Sequence, residues 1–101
     1  MKIQDKFALV LDSSDNVATV LTDVNAGEMV ILKGTEKSII STENILFGHK
    51  IALRTIRAGE NIVKYGQKIG VATTDILPGA WVHLHTMASA LDADFRKRIE
   101  Q

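Results

Sequence analysis

The stretch DVNAGEMVIL, residues 23–32, returns twice in altered form, as TIRAGENIVK at 55–64 and DILPGAWVHL at 75–84. Each copy places an aliphatic residue three positions before a glycine and another three positions after it. The sets are Val24, Gly27, Val30; Ile56, Gly59, Ile62; and Ile76, Gly79, Val82. Glycine takes positive φ without steric penalty, and Ala-Gly or Pro-Gly is a turn signal. The unit therefore reads as strand, tight turn, strand, with both aliphatics on one core. The first two copies also share Ala-Gly-Glu and a closing glycine, Gly34 and Gly66. The spacings between copies are unequal, 32 and 20 residues, which argues against a regular solenoid.

Other strand signals fill the gaps. KFALVLD (6–12) and VATVLTD (17–23) flank the turn residues SSDN and read as a hairpin. KSIIST (37–42), HKIALRTI (49–56) and KIGVATTDI (68–76) are further strands. Short elements at regular intervals predict an all-β domain. The end of the chain has a different period. Apolar residues at 87, 91, 95 and 99 make a row of i, i+4 steps, with Ser89 and Asp92 as a capping pair and Arg96, Lys97 and Arg98 late. That predicts a C-terminal helix over 87–101 whose apolar stripe packs on its own sheet or on a partner, and with it self-association of the isolated chain.

Length and charge narrow the function. One domain is expected from 101 residues, and 46% apolar residues suffice for a core. Twelve basic and twelve acidic side chains cancel, which disfavours nucleic acid, and the longest basic run, RKR at 96–98, is too short for a membrane patch. With no cysteine, disulfides and thiolate metal sites are excluded. The opening residues resemble neither a secretory signal nor a membrane span, so a cytoplasmic location is expected.

The histidines carry the chemical signal. In WVHLHTM (81–87), strand alternation puts Val82 and Leu84 toward the core and Trp81, His83 and His85 on the opposite face. Two imidazoles two apart suit a metal ion or an anionic substrate, and equally a pair of surface histidines. The third histidine, His49, precedes Lys50 and a strand that carries Arg54. KYGQKIG (64–70) adds Lys64 and Tyr65 before a turn glycine. No Ser-His-Asp order, phosphate loop or telling carboxylate pair completes an active site.

From Phe47 to Met87 the order of motifs resembles the small N-terminal module of the altronate and galactarate dehydratase family. The residues that carry it are GHKIALRTIRAGENIVKYGQKIGVATTDILPGAWVHLHTM. The module is similar to the SAF domain, also found in antifreeze proteins and sialic acid synthases. The resemblance implies a mostly β fold, a β-clip over residues 1–86 followed by the helix of 87–101. It implies a small subunit of a sugar-acid hydro-lyase, inactive without a large dehydratase subunit, which eliminates water from a hydroxy acid. The small subunit of sulfolactate sulfo-lyase has the same architecture and is the alternative, as is a sugar-acid-binding module with no catalytic role. Thr86 stands where the family often has asparagine. The roles expected are His49 and His85 in catalysis, Lys50, Arg54, Lys64 and Tyr65 at the substrate carboxylate, and His83 with His85 as metal ligands. The expected cofactor is a divalent metal (iron, manganese or magnesium) whose shell the partner completes.

Overall fold

A computed structural model describes residues 5–83 and the backbone of 87–89. The described residues are all-strand. Their strands are β1 (Lys6–Leu9), β2 (Val17–Val20), β3 (Met29–Lys33), β4 (Ser38–Ile40), β5 (Lys50–Ala52), β6 (Asn61–Lys64), β7 (Gln67–Ala72), β8 (Trp81–Val82) and β9 (Met87–Ser89). A six-stranded sheet has the order β4-β3-β1-β2-β5-β8, and a three-stranded sheet the order β6-β7-β9. The β1–β2 hairpin forms as expected, with Ala8 opposite Val20, while β1 and β3 pair in parallel.

The glycine unit organises this architecture, and it occurs four times. Besides the three copies above, NILFGHKI (44–51) folds the same way, with Ile45, Gly48 and Ile51 in the marked places. In every copy the residue after glycine donates its N–H to the carbonyl three back: Glu28 to Asn25, His49 to Leu46, Glu60 to Arg57, and Ala80 to Leu77, at 2.9–3.2 Å. The four glycines have φ between 84° and 90°. Positive φ at the third position, and proline at the second in one copy, is the signature of a type II turn.

The strands expected to run into the turns at Gly27, Gly59 and Gly79 stop short of them, β2 at Val20, β5 at Ala52 and β7 at Ala72. No strand holds the aliphatic residue before any of the four turns. Each such aliphatic instead makes a single bridge to another copy, Val24 with Ile45 and Ile56 with Ile76. The copies are thus coupled in pairs, and the coupling is reciprocal. Gly27 N–H donates to Ser41 and Gly48 N–H to Val20, just as Gly59 N–H donates to Ala72 and Gly79 N–H to Ala52. Side chains lace each pair as well. Asn44 Oδ1 accepts from Ala26 N–H, Asp23 Oδ1 from Phe47 N–H, and Asp75 Oδ1 from Ala58 N–H. The fourth bond of this set has no donor, because Pro78 lacks an N–H, and there the partner position is Thr55 rather than Asp or Asn.

The marked aliphatics are all buried, as the pattern requires, but in two cores. Val20, Val24, Val30, Ile45 and Ile51 fill one; Val17, Ala52, Ile56, Ile62, Ile76 and Val82 fill the other. Neighbouring residues of β2 (Val17, Ala18) and of β5 (Ile51, Ala52) enter different cores, so both strands are buried on both faces. Buried Asn16 ties the sheets together. Its amide donates to Asn61 carbonyl at 2.8 Å and accepts from Val63 N–H at 2.8 Å.

One correction falls at the end. Met87–Ser89, placed by periodicity in the first turn of a helix, pair with Gly70–Ala72 as β9. The row of i, i+4 apolar residues says what a segment can bury, whereas the open edge of β7 supplies backbone partners that a helix would leave unused. The remainder of that helix, residues 90–101, lies outside the described residues.

Candidate functional site

The site forms where the second and fourth glycine units meet, because β5 and β8, the strands that follow those turns, pair antiparallel with Ile51 opposite Trp81. Val82 is buried, so Trp81 and His83 leave β8 on the opposite face, as alternation predicts. Their rings lie 4.1 Å apart, tilted by 38°. His49, at the turn before β5, meets the same indole edge-on at 5.8 Å. Two histidines 34 residues apart in the chain are thus gathered around one tryptophan.

A carboxylate completes the cluster. Glu43 Oε2 accepts the backbone N–H of Trp81 at 2.8 Å. The Glu43 segment is held in turn by Ser41 Oγ donating to Glu43 carbonyl at 2.6 Å and by Thr42 N–H donating to Gly79 carbonyl at 2.9 Å. Thr42, Glu43, Leu77, Trp81 and His83 line an open groove of about 310 Å³. Sequence reasoning passes over Glu43. Its partner is 38 residues away, and no local pattern marks it. The indole N–H of Trp81 is buried and has no acceptor among the described residues.

The other expected site residues lie elsewhere. Lys50 pairs directly with Val82 and so shares its face, opposite to Trp81 and His83. Burial holds its ammonium below the usual lysine range, with the positive charge of Lys64 adding to the effect. Among the described residues no carboxylate lies within ion-pairing distance of Lys50. Lys64 also sits over the Tyr65 ring, 5.2 Å from its centroid. Tyr65 itself, at φ 55°, and Gly66, at φ 74°, form the two-residue turn between β6 and β7. Positive φ at both positions is the type I′ hairpin, so Tyr65 holds a structural post. Arg54 is engaged by Glu60 at 3.3 Å and by its neighbour's carbonyl, and lines a separate groove with Asp12 and Lys37. His85 lies outside the described residues.

Among the described residues no three His, Cys, Asp or Glu side chains converge as a ligand group. His49 and His83 each pack on the indole.

Comparison with known proteins agrees with this architecture. Residues 6–90 match the family described as the altronate/galactarate dehydratase SAF domain. The chain is 38% identical over 86 residues to an altronate dehydratase of Bacillus subtilis, covering 85% of this chain and 17% of that protein. It is 38% identical over 77 residues to an altronate dehydratase of Escherichia coli, covering 76% of this chain and 15% of the relative. With the (2R)-sulfolactate sulfo-lyase subunit alpha of Chromohalobacter salexigens it shares 31% identity over 84 residues, 78% of this chain and 89% of that subunit. The chain therefore spans less than a fifth of the altronate dehydratases it matches.

Proposed function

Because this chain belongs to the altronate/galactarate dehydratase SAF-domain family, we propose that it serves as the small subunit of a sugar-acid hydro-lyase and works with a larger catalytic body. The observation that carries this reading is that His49 and His83 both pack on Trp81, beside an open groove that Glu43, Trp81 and His83 line. Water elimination from a hydroxy acid needs a base for the proton beside the carboxylate and an acid for the departing hydroxide. Imidazole performs either task near neutral pH. The indole fixes both rings, and Glu43 fixes the indole's strand. Lys50 and Lys64, on the far face, are available to an anionic group of the substrate or partner, since Lys50 has no carboxylate partner among the described residues. A divalent metal, if the enzyme uses one, would draw most of its ligands from the larger body. The proposed setting is the cytoplasm; no helix of the described residues is long and apolar enough to cross a membrane.

A second reading rests on the coverage of 89% of a sulfo-lyase subunit alpha. There the leaving group would be sulfite instead of hydroxide, departing from the same kind of carbon. Both readings are tested in a chimaera of the Bacillus altronate dehydratase whose matched segment is replaced by residues 6–90 of this chain. Turnover of altronate, and not of sulfolactate, is the expected result. His83→Ala and His49→Ala should each lower it by about 10²–10⁴, the range of a lost acid or base. Wild-type turnover in both variants would reduce the histidines to packing groups.

A further inference from the structure

The four turns provide an internal control for what the fold requires of their tips. In the first and third, the tips are Asn25-Ala26 and Arg57-Ala58, and a glutamate from the same turn accepts the leading N–H: Glu28 at 2.6 Å and Glu60 at 2.9 Å. In the second and fourth, the tips are Leu46-Phe47 and Leu77-Pro78, with no glutamate. Leu46, Phe47 and Leu77 are 63%, 65% and 64% exposed. The backbone is the same in all four, so the turn does not call for these apolar side chains. Exposed apolar side chains grouped on two turn tips suit a covering partner.

Their placement indicates what. The Leu46 carbonyl accepts the N–H of His49, so this tip and that histidine belong to one turn. Leu77 lines the groove beside Trp81 and His83. A body that covers both tips therefore lies against the turn that supplies His49 and against the wall of the groove, which share Trp81. We propose that Leu46, Phe47 and Leu77 form the surface on which the catalytic region of a family dehydratase docks, closing the groove over its substrate. This inference rests on the functional reading above. The occupant follows from two observations. In the altronate dehydratases the match occupies only 17% and 15% of the protein, so the module there shares a chain with a far larger body. The groove's described lining also has no lysine or arginine to receive a substrate carboxylate, a lack that a second copy of the same chain would only duplicate.

The chimaera described above tests the surface with two readouts, altronate turnover and the rate at which protease severs the module from the rest. The triple variant L46S/F47S/L77S should lose turnover at least tenfold and be severed at least tenfold faster. A control with Asn25→Ser and Arg57→Ser on the polar tips should match the parent on both counts. The same triple variant of the isolated chain should keep its thermal midpoint, which separates docking from folding. A triple variant that behaves as the parent chimaera overturns the proposal. So does an isolated chain that forms dimers dispersed by the three substitutions, for the occupant is then a second copy. A parent chimaera that resists protease but turns over no altronate leaves the docking surface standing and sinks the functional reading instead.

Discussion

Gly79 occupies the same turn position as Gly27, Gly48 and Gly59, at nearly the same φ, yet alanine there should have a different cost. At the other three positions a Cβ would meet nothing within 4 Å. Substitution there pays only the left-handed backbone penalty, about 1–2 kcal/mol. At Gly79 a Cβ would overlap the carbonyl oxygen of Ile40 and lie 3.3 Å from Thr42 N. Both atoms are backbone, so the segment 40–42 must move, adding about 1–3 kcal/mol. The shift would also loosen the bonds from Gly79 N–H to Ala52 and from Thr42 N–H to Gly79, at 2.8 and 2.9 Å, which hold the Glu43 segment against β8. In a domain of this size 1 kcal/mol corresponds to about 4–8 °C in Tm. Gly27→Ala and Gly59→Ala should then unfold roughly 5–15 °C early, and Gly79→Ala at least roughly 5 °C earlier still. Thermal melts followed by circular dichroism decide the matter. Equal losses at Gly59 and Gly79 would refute the claim that the fourth turn is packed into the molecule while the others are free.

Ile62, fully buried in the second core, should cost about 2–5 kcal/mol when cut to alanine, measured by urea unfolding; a loss below 1 kcal/mol would mean that this core is loosely filled. Lys50→Met should raise stability, by no more than about 1 kcal/mol, because the folded chain holds the ammonium of Lys50 at a disadvantage. A lowered folded-state pKa means that the penalty is complete at neutral pH and fades as pH rises through that value toward about 10.4. The advantage of the variant should therefore shrink in alkali, and a gain that grows with pH would contradict the assignment.

Much of this was legible in the residues and some was not, for identifiable reasons. Period-two alternation suffices to place Trp81 and His83 on one face and Val82 in the core. The β1–β2 hairpin is legible because SSDN separates two β-rich runs. The second glycine unit escapes notice because Phe47-Gly48-His49 has neither the Ala-Gly nor the Pro-Gly signal, and only the positions of Ile45, Gly48 and Ile51 betray it. Strands before the turns were expected from β-propensity, but pairing between copies leaves each aliphatic only one bridge. A long-range partner decides β9 as well, against a helical period. Lys50 and His49 are adjacent in the chain and so look like one site, yet Lys50, opposite Val82 in β5, faces away from Trp81, which His49 meets from the preceding turn. Glu43 reaches its place through a contact that no short window contains.

The comparison of turns also yields a prediction about how function was fitted into the fold. The residue after glycine is Glu28 in the first unit and Glu60 in the third, each capping its own turn, but His49 in the second. Glu28 Oε1 accepts the N–H of Asn25 at 2.6 Å, and removing such a side-chain cap should cost about 1 kcal/mol. His49 caps nothing through its side chain among the contacts described; its ring meets only the edge of Trp81 and is exposed. An aromatic edge contact is worth about 0.5–1.5 kcal/mol when well buried and less in solvent. Glu28→Ala should therefore lower Tm by several degrees and leave chimaera turnover close to the parent. His49→Ala should lower Tm by less than half as much while reducing turnover by orders of magnitude. That pair of outcomes would assign His49 to chemistry rather than to holding the turn. If His49→Ala destabilises the isolated chain as much as Glu28→Ala does, and turnover falls only in proportion to the folded fraction, then His49 is a structural substitute for the glutamate and the acid–base role must pass to His83 alone.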